Sequence, residues 1–206
     1  MFRFIDTIKL SDGNYKLVDY HNKRINNTIS HFFGMDAKIN LNMFLPKPDE
    51  CKTGTYKCRL TYSNHIENIE IAPYTKRTIK KLKIIDLDTA NFSTEYRSLD
   101  YAFKYEDRAC INSFLTGIDD ISDILIIKNG LLTDTSFSNI ILFDGEKWIT
   151  PDTYLLNGVK RRYLLEHNKI IERKVSVNDL RCFQKISLIN AMLDPKDIEI
   201  DICNIY

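Results

Sequence analysis

The chain has 206 residues, 44% of them hydrophobic, and its 29 Lys and Arg nearly balance its 28 Asp and Glu, for a net charge of +1. A charge balance this even provides no field of one sign to recruit nucleic acid or an anionic membrane, so neither is an expected partner. The first residues, Met-Phe-Arg-Phe-Ile-Asp, include an early acid and no long apolar run, which predicts neither a signal peptide nor a membrane span.

The cysteines are odd in number, scattered and without a C-x-x-C pair: Cys51, Cys58, Cys110, Cys182 and Cys203. This distribution argues against a disulfide framework and against a structural zinc site. We therefore expect free thiols, no bound metal and a reducing, cytoplasmic environment.

The first part of the chain predicts a hairpin, a helix and further strands. Residues 2–10 alternate apolar and polar, and 15–18 resume the alternation after Ser-Asp-Gly-Asn, which is typical of a β-hairpin. Residues 20–33 have apolar side chains at helical spacing, Asp19 could cap this helix, and Gly34 can end it. Strands of an antiparallel meander are predicted at 55–62, 66–72 and 80–87.

The second part alternates short strands with helices. We expect a helix over 105–116 and, after Pro151, a turn at Gly158 that opens a second helix. Strands are predicted at 123–128, 139–143 and 147–149, and in KIIERKVSV and KISLINAM. The pattern is α+β throughout, and the region near 88–94 is the one candidate linker.

Residues 128–145, KNGLLTDTSFSNIILFDG, predict a strand pair that ends in the turn dipeptide Asp144-Gly145. Asp134 stands at its centre among hydroxyl residues, although strands disfavour Asp. A buried carboxylate needs a partner. The alternative is an edge-strand or turn acid, for example in an Asx turn.

Each of three further positions can be interpreted either as functional or as purely structural. Lys104, between Phe103 and Tyr105, would become nucleophilic if desolvated, or it is a solvated lysine whose stem packs on the rings. Arg24 could grip a phosphate or carboxylate, or it lies on an exposed helix face. Gly158 begins a helix whose backbone N–H groups could bind an anion, although a lone Gly is weak evidence for such a site.

Taken in chain order, these segments resemble the class IV aminotransferases, the fold-type-IV pyridoxal-phosphate (PLP) enzymes. FIDTIKLSDG and YHNKR resemble the entry hairpin and phosphate-arginine helix of that family, and KYEDR resembles its K-x-x-x-R lysine segment. GLLTDTSFSNIILFDGEKWITP resembles its G-x-x-T-E-x-x-x-x-N-x-F strand pair, and LLNGVKR its L-x-G-[IV]-x-R phosphate turn. The family includes branched-chain and D-amino-acid aminotransferases and 4-amino-4-deoxychorismate lyases.

The resemblance implies a catalytic role for Lys104, which would carry the covalent link to PLP. Asp134 stands where the family has Glu, and would pair with the protonated pyridine nitrogen so that the ring remains an electron sink. Asn139 matches the Asn of the same motif and is expected among the cofactor-binding residues. The shorter Asp leaves the contact with the ring, direct or through water, open.

The same resemblance implies a phosphate site. Arg24 would hold the phosphate by a charge-assisted bond, and the N–H groups of Val159 and Lys160, after Gly158, would complete the cup. Lys160 stands where many relatives have Thr, so that a charge contact replaces a hydroxyl contact. Asn190 falls near a position where relatives offer a phosphate-binding Thr.

The implied fold is a two-domain, D-amino-acid aminotransferase-like α+β architecture, with a small domain over 1–90, a larger one over 91–206 and PLP in the cleft. The chain starts at the entry hairpin and lacks the strand pair with which relatives begin, so we expect a shortened form with a rebuilt substrate pocket. Relatives form homodimers, and a homodimer is expected here.

Thr7 bears on the reaction, because the lyases of this family resemble FIDT with a Thr at this position. Its hydroxyl could bond a substrate carboxylate, as could Arg59, although both residue types are also common on exposed strand faces. We therefore expect a lyase that converts 4-amino-4-deoxychorismate to 4-aminobenzoate and pyruvate in folate synthesis. The alternatives are an aminotransferase acting on a branched-chain or D-amino acid, and a PLP-binding homologue with little catalysis.

Overall fold

The computed structural model describes residues 2–47, 51, 53–89 and 101–206. Two units make up the chain: Met1–Lys76 with Phe103–Asp107, and Arg77–Ala102 with Arg108–Tyr206. The expected division near residue 90 differs from this one at two places. The strand after Arg77 pairs within the second unit, and the short segment around Lys104 returns to the first.

The first unit is built on one antiparallel sheet in the order β2-β1-β3-β4. The strands are β1 (Phe4–Ser11), β2 (Asn14–Tyr15), β3 (Thr55–Tyr62) and β4 (Ile66–Pro73). The predicted hairpin turn is confirmed, with positive φ at Asp12 (50°) and Gly13 (74°), which suits the twist of the flanking strands. The second strand, predicted over 15–18, ends at Tyr15 instead, because a helix already begins at Val18.

Helix α1 (Val18–Phe33) lies next to this sheet and buries Ile25 and Ile29 in the core. It ends as predicted at Gly34, which has a φ of 63°. Asp19 lies within the first turn rather than capping the helix, because the chain enters through Leu17 in the left-handed conformation. A short 3-10 helix, Leu41–Met43, follows.

The second unit contains a three-stranded sheet in the order β5-β6-β7. Its strands are β5 (Lys81–Asp86), β6 (Ser122–Lys128) and β7 (Leu131–Thr135). The prediction that β5 continues an antiparallel meander is wrong, because β5 runs parallel to β6. Residue periodicity predicts a strand but does not identify its partner, which is distant in sequence here.

A five-stranded sheet in the order β10-β9-β8-β11-β12 completes the second unit. Its strands are β8 (Asn139–Phe143), β9 (Trp148–Pro151), β10 (Ile171–Arg173), β11 (Lys185–Ile189) and β12 (Glu199–Asp201). The prediction that residues 128–145 form a strand pair is wrong, since β7 and β8 belong to different sheets. The Asp144-Gly145 turn instead joins β8 to β9.

The helices of the second unit are short. Helix α2 spans Ala109–Ser113, less than the predicted 105–116, because Tyr105 is extended and bridges to Phe4. Helix α3 (Val159–Glu166) begins after Gly158 as predicted. The 3-10 segments are Val177–Cys182 and Ile202–Asn204. Among the residues described, no helix is long and apolar enough to cross a membrane.

Candidate active site

Lys104 lies beside strand β1 in the first unit. Its backbone carbonyl accepts the N–H of Ile5 at 2.9 Å, which fixes the extended segment against the strand. Its half-buried side chain places Nζ 3.5 Å from the hydroxyl of Thr7. The structure therefore brings together a predicted catalytic residue and a predicted substrate-binding residue that stand 97 positions apart.

Thr7 is also the strand partner of Arg59. The β1–β3 register pairs the two residues directly, so both side chains project from the same face of the sheet. Both are half-buried. A hydroxyl and a guanidinium on one face next to an amine can orient a carboxylate substrate.

Arg24 reaches the opposite side of β1, where it pairs with Asp6. The guanidinium contacts both carboxylate oxygens, Nε to Oδ2 at 3.1 Å and Nη2 to Oδ1 at 2.5 Å. Asp6 is fully buried and also accepts hydrogen bonds from Nδ1 of His21 at 2.7 Å and from the N–H of Thr7 at 2.6 Å. This cluster orients the predicted phosphate arginine within the first unit.

The cluster has a defined charge state. Burial raises the pKa of Asp6, but Arg24 and His21 together outweigh burial and hold that pKa well below its usual range. Burial lowers the pKa of His21 despite the neighbouring carboxylate. Neutral His21 therefore donates from Nδ1 to ionised Asp6, and within the described residues its Nε2 atom has no hydrogen-bond partner.

In the second unit, Asp134 lies on edge strand β7 and is 5% exposed. Its Oδ2 accepts the N–H groups of Leu155 at 3.0 Å and Leu156 at 2.9 Å, and its Oδ1 accepts Nδ2 of Asn139 at 2.8 Å. Burial raises the pKa of Asp134 to about 6, opposed by these hydrogen bonds and by the charge of Arg161.

Asn139 connects Asp134 to the predicted phosphate turn. Its Nδ2 also donates to the carbonyl of Leu156 at 2.8 Å. A Cβ placed on Gly158 would lie 2.1 Å from the Asn139 Oδ1 atom, closer than side-chain contacts allow. Only glycine fits at this position, and the reason is close approach, since its φ of −64° is ordinary.

The other predicted phosphate residues have partners within the second unit. The Nζ atom of Lys160 lies 2.5 Å from Asp194, so its ammonium is already paired. The side-chain oxygen of Asn190 accepts the N–H groups of Met192 and Leu193, and its Nδ2 donates to the carbonyl of Phe137. In this arrangement the turn offers backbone N–H groups, and Asn190 shapes its own loop.

Arg161, which the sequence analysis did not single out, supports the loop before α3. Its buried guanidinium donates to the carbonyl of Pro151 at 2.8 Å, pairs with Glu172 and lies 4.4 Å from the ring centre of Tyr154. Asp6 was also missed. An acid at an inward position of the alternating stretch FIDTIKL is the signal that could have revealed it.

The residues present suit PLP. The first unit provides an amine at Lys104 and an oriented cation at Arg24. The second provides a buried acid at Asp134 and a helix start at Gly158. This fold and these groups define a fold-type-IV enzyme of the PLP-dependent class.

The comparisons with known proteins agree with that class. Residues 113–194 match the class IV aminotransferase family. The chain is 30% identical over 194 residues to an uncharacterized protein from Haemophilus influenzae, covering 93% of this chain and 98% of the relative. The chain belongs to the class IV aminotransferase family.

Two solved structures illustrate the relationship. One, from Haemophilus somnus and provisionally assigned as a 4-amino-4-deoxychorismate lyase, is 31% identical with a TM-score of 0.82, covering 93% of this chain and 97% of that one. A hypothetical aminotransferase from Mycobacterium tuberculosis in its PLP-bound form is 16% identical with a TM-score of 0.67, covering 99% and 81%. The second shares the fold.

Proposed function

We propose that this protein binds PLP and converts 4-amino-4-deoxychorismate to 4-aminobenzoate and pyruvate. The observation that carries the proposal is the 3.5 Å approach of the Lys104 amine to the Thr7 hydroxyl. The lyase assignment of the Haemophilus somnus relative supports the same substrate. The wider proposal places this step in folate synthesis, in the cytoplasm and in a homodimer.

Cofactor binding is proposed through the residues that the resemblance implies. Lys104 would carry the link to PLP and Arg24 would bind its phosphate, together with Gly158 and the N–H groups of Val159 and Lys160. Asp134, held by Asn139, would face the pyridine nitrogen. PLP would supply an electron sink for the carbon that bears the substrate amine.

Lys104 and Thr7 divide the proton transfers of the lyase reaction. Once the substrate amine has displaced Lys104 from its link to PLP, the neutral amine of Lys104 would accept the proton from the carbon that bears the substrate amine. The bond between the ring and the enolpyruvyl oxygen then breaks, and the ring becomes aromatic without net oxidation or reduction. The departing enol takes a proton from Lys104, with the Thr7 hydroxyl 3.5 Å away to relay or orient it. Arg59, opposite Thr7, would bind a substrate carboxylate.

An aminotransferase acting on a branched-chain or D-amino acid is the second candidate, because the matched family is named for that activity. It would use Lys104 in the same first proton transfer. It differs in its product, since the amino group would remain on the cofactor.

Single-turnover product analysis on the PLP-loaded protein separates these candidates. Release of 4-aminobenzoate and pyruvate from 4-amino-4-deoxychorismate, with PLP retained, is expected of the lyase. Conversion of the cofactor to pyridoxamine phosphate by an amino acid, without pyruvate release, would make the protein an aminotransferase. Bound PLP with neither product would leave a binding homologue.

Variants assign the roles in the same assay. Lys104→Ala should abolish turnover. Thr7→Val, which removes only the hydroxyl, should lower it by about a hundred-fold, a typical loss for a proton-transfer group, and Thr7→Ser should restore most of it. Full activity in Thr7→Val would exclude the hydroxyl from the reaction. The homodimer is tested by light scattering of the purified protein.

A further inference from the structure

Among the described residues, three hydrogen bonds reach the Asp134 carboxylate, all from its own unit, and two of them come from consecutive backbone amides. Leu155 and Leu156 lie in the loop between β9 and α3, and their N–H groups donate to Oδ2 of Asp134. A buried amide without an acceptor is costly. The Oδ2 atom of Asp134 satisfies both.

We infer that Asp134 is a positioning residue that builds the turn of residues 155–158 before any cofactor binds, and that acts on the cofactor's phosphate through this turn. The inference rests on the proposed function only for the identity of the phosphate ligand. It adds a role that the pairing with the pyridine nitrogen does not require.

The connection from Asp134 to the turn is continuous. Its Oδ1 atom holds Nδ2 of Asn139, and the same Nδ2 holds the carbonyl of Leu156 at 2.8 Å. The Oδ1 atom of Asn139 in turn occupies the space beside Gly158, the residue that precedes α3. The acid thus fixes where the first N–H groups of the helix point.

The length of the side chain agrees with this role. The carboxylate of an Asp stays close to its strand, where it reaches the amides at 3.0 Å and 2.9 Å. A Glu would carry the carboxylate one methylene further.

Amide exchange in the cofactor-free protein tests the clamp directly. Asp134→Asn should speed exchange at Leu155 and Leu156 by about ten-fold, the effect of losing a charge-assisted acceptor. The control is Asp144→Asn, since exposed Asp144 likewise accepts two backbone N–H groups, from Glu146 at 2.9 Å and Lys147 at 2.7 Å. This control should leave Leu155 and Leu156 unchanged. Equal protection in wild type and Asp134→Asn would overturn the inference.

A measurement on the unaltered protein covers the case in which Asp134→Asn does not fold. Scalar couplings across hydrogen bonds should link the amide nitrogens of Leu155 and Leu156 to the side-chain carboxylate carbon of Asp134. Their presence without cofactor supports the clamp. Their absence, with couplings of the Asp144 turn detected in the same spectrum, would overturn it.

Ligand binding separates action through the turn from action on the ring. If Asp134 acts through the turn, Asp134→Asn should weaken the binding of PLP by about ten-fold more than it weakens the binding of pyridoxal, which lacks the phosphate. Equal losses for both ligands would show that Asp134 acts on the ring alone and would overturn the inference. Asp134→Glu keeps the charge but places the carboxylate one methylene further from the strand. It should show the same preferential loss of affinity for PLP.

These outcomes are distinct from failure of the proposed function. A protein that catalyses neither reaction can still show the amide protection and the couplings. Conversely, lyase activity with unprotected Leu155 and Leu156 amides would reject the clamp and leave the lyase in place.

Discussion

The guanidinium of Arg24 faces the carboxylate of Asp6 edge to edge, with one nitrogen on each oxygen at 3.1 Å and 2.5 Å. This geometry fixes the plane of the arginine as well as its position. Asp6 is completely buried, with 0% of its surface exposed. Arg24 is therefore oriented by a buried partner.

Removal of the charge at Asp6 tests whether this residue orients Arg24. Asp6→Asn removes a buried carboxylate that pairs with both Arg24 and His21, and we expect a loss of about 3 kcal/mol in unfolding free energy and weaker PLP binding. Chemical denaturation and PLP titration measure the two effects. Asp36→Asn is the control, since the Asp36–Lys38 pair is exposed and contributes little. Equal stability of the two variants would contradict the prediction.

The raised pKa of Asp134 predicts a pH dependence of stability. Its folded-state pKa is about 6 against an ordinary 3.8, so its stabilising contribution is present below pH 4 and is lost as the pH rises through 6. The unfolding free energy of the cofactor-free wild type, minus that of Asp134→Asn, should fall by about 2–3 kcal/mol between pH 4 and pH 7. Other titrating groups cancel in this difference. If this difference in unfolding free energy instead rises with pH, the folded protein stabilises the ionised form of Asp134.

Gly158→Ala should disrupt the phosphate turn. The new Cβ would meet Oδ1 of Asn139 at 2.1 Å, and we expect a loss of about 1–3 kcal/mol and weaker PLP binding. The double variant Gly158→Ala with Asn139→Ala removes the clash, so its stability loss should be smaller than the sum of the two single losses. Additive losses would mean that the two residues do not interfere. Thermal unfolding of the four proteins measures this.

Substitutions at Arg161 and at Glu172 should lower the unfolding free energy by unequal amounts. Arg161→Met removes a buried cation that also holds the carbonyl of Pro151, and we expect a loss of about 2–4 kcal/mol. Glu172 is 45% exposed, so Glu172→Gln should cost less than about 1 kcal/mol. Denaturant titrations provide both values. Similar losses would assign the stabilisation to the ion pair alone.

Much of the local structure could be predicted from the sequence. The alternation in 2–10 with its Asp-Gly turn predicted β1 and β2, and the helical spacing before Gly34 predicted α1, because these patterns depend on neighbours in the chain. The order of the lysine, acid and glycine motifs likewise indicated the family. Local sequence patterns predicted the structure less well where contacts join residues that are distant in sequence. The 105–116 helix was overestimated because Tyr105 bonds to strand β1 instead.

The candidate site was predicted in part. Lys104 and Thr7 were named from the resemblance, and Arg59 was named from its position in a strand. The β1–β3 register places Thr7 opposite Arg59, and Nζ of Lys104 lies 3.5 Å from the Thr7 hydroxyl. The predicted phosphate contacts of the Lys160 and Asn190 side chains stay predictions, since the structure gives both side chains partners of their own. Asp6 was missed because one acid in a strand reveals its importance only when its buried partners are known.

The sequence by itself determined the family, the types of the principal elements and the identity of the chemical groups, since these follow from residue order and local periodicity. Tertiary structure alone decided which strands pair and what each buried polar atom contacts. Asp134 shows the difference. Its presence in a strand could be read directly, but its hold on the amides of Leu155 and Leu156 depends on a loop 21 and 22 residues away. A hydrogen bond requires atoms within about 3 Å, and only the folded chain sets distances on that scale.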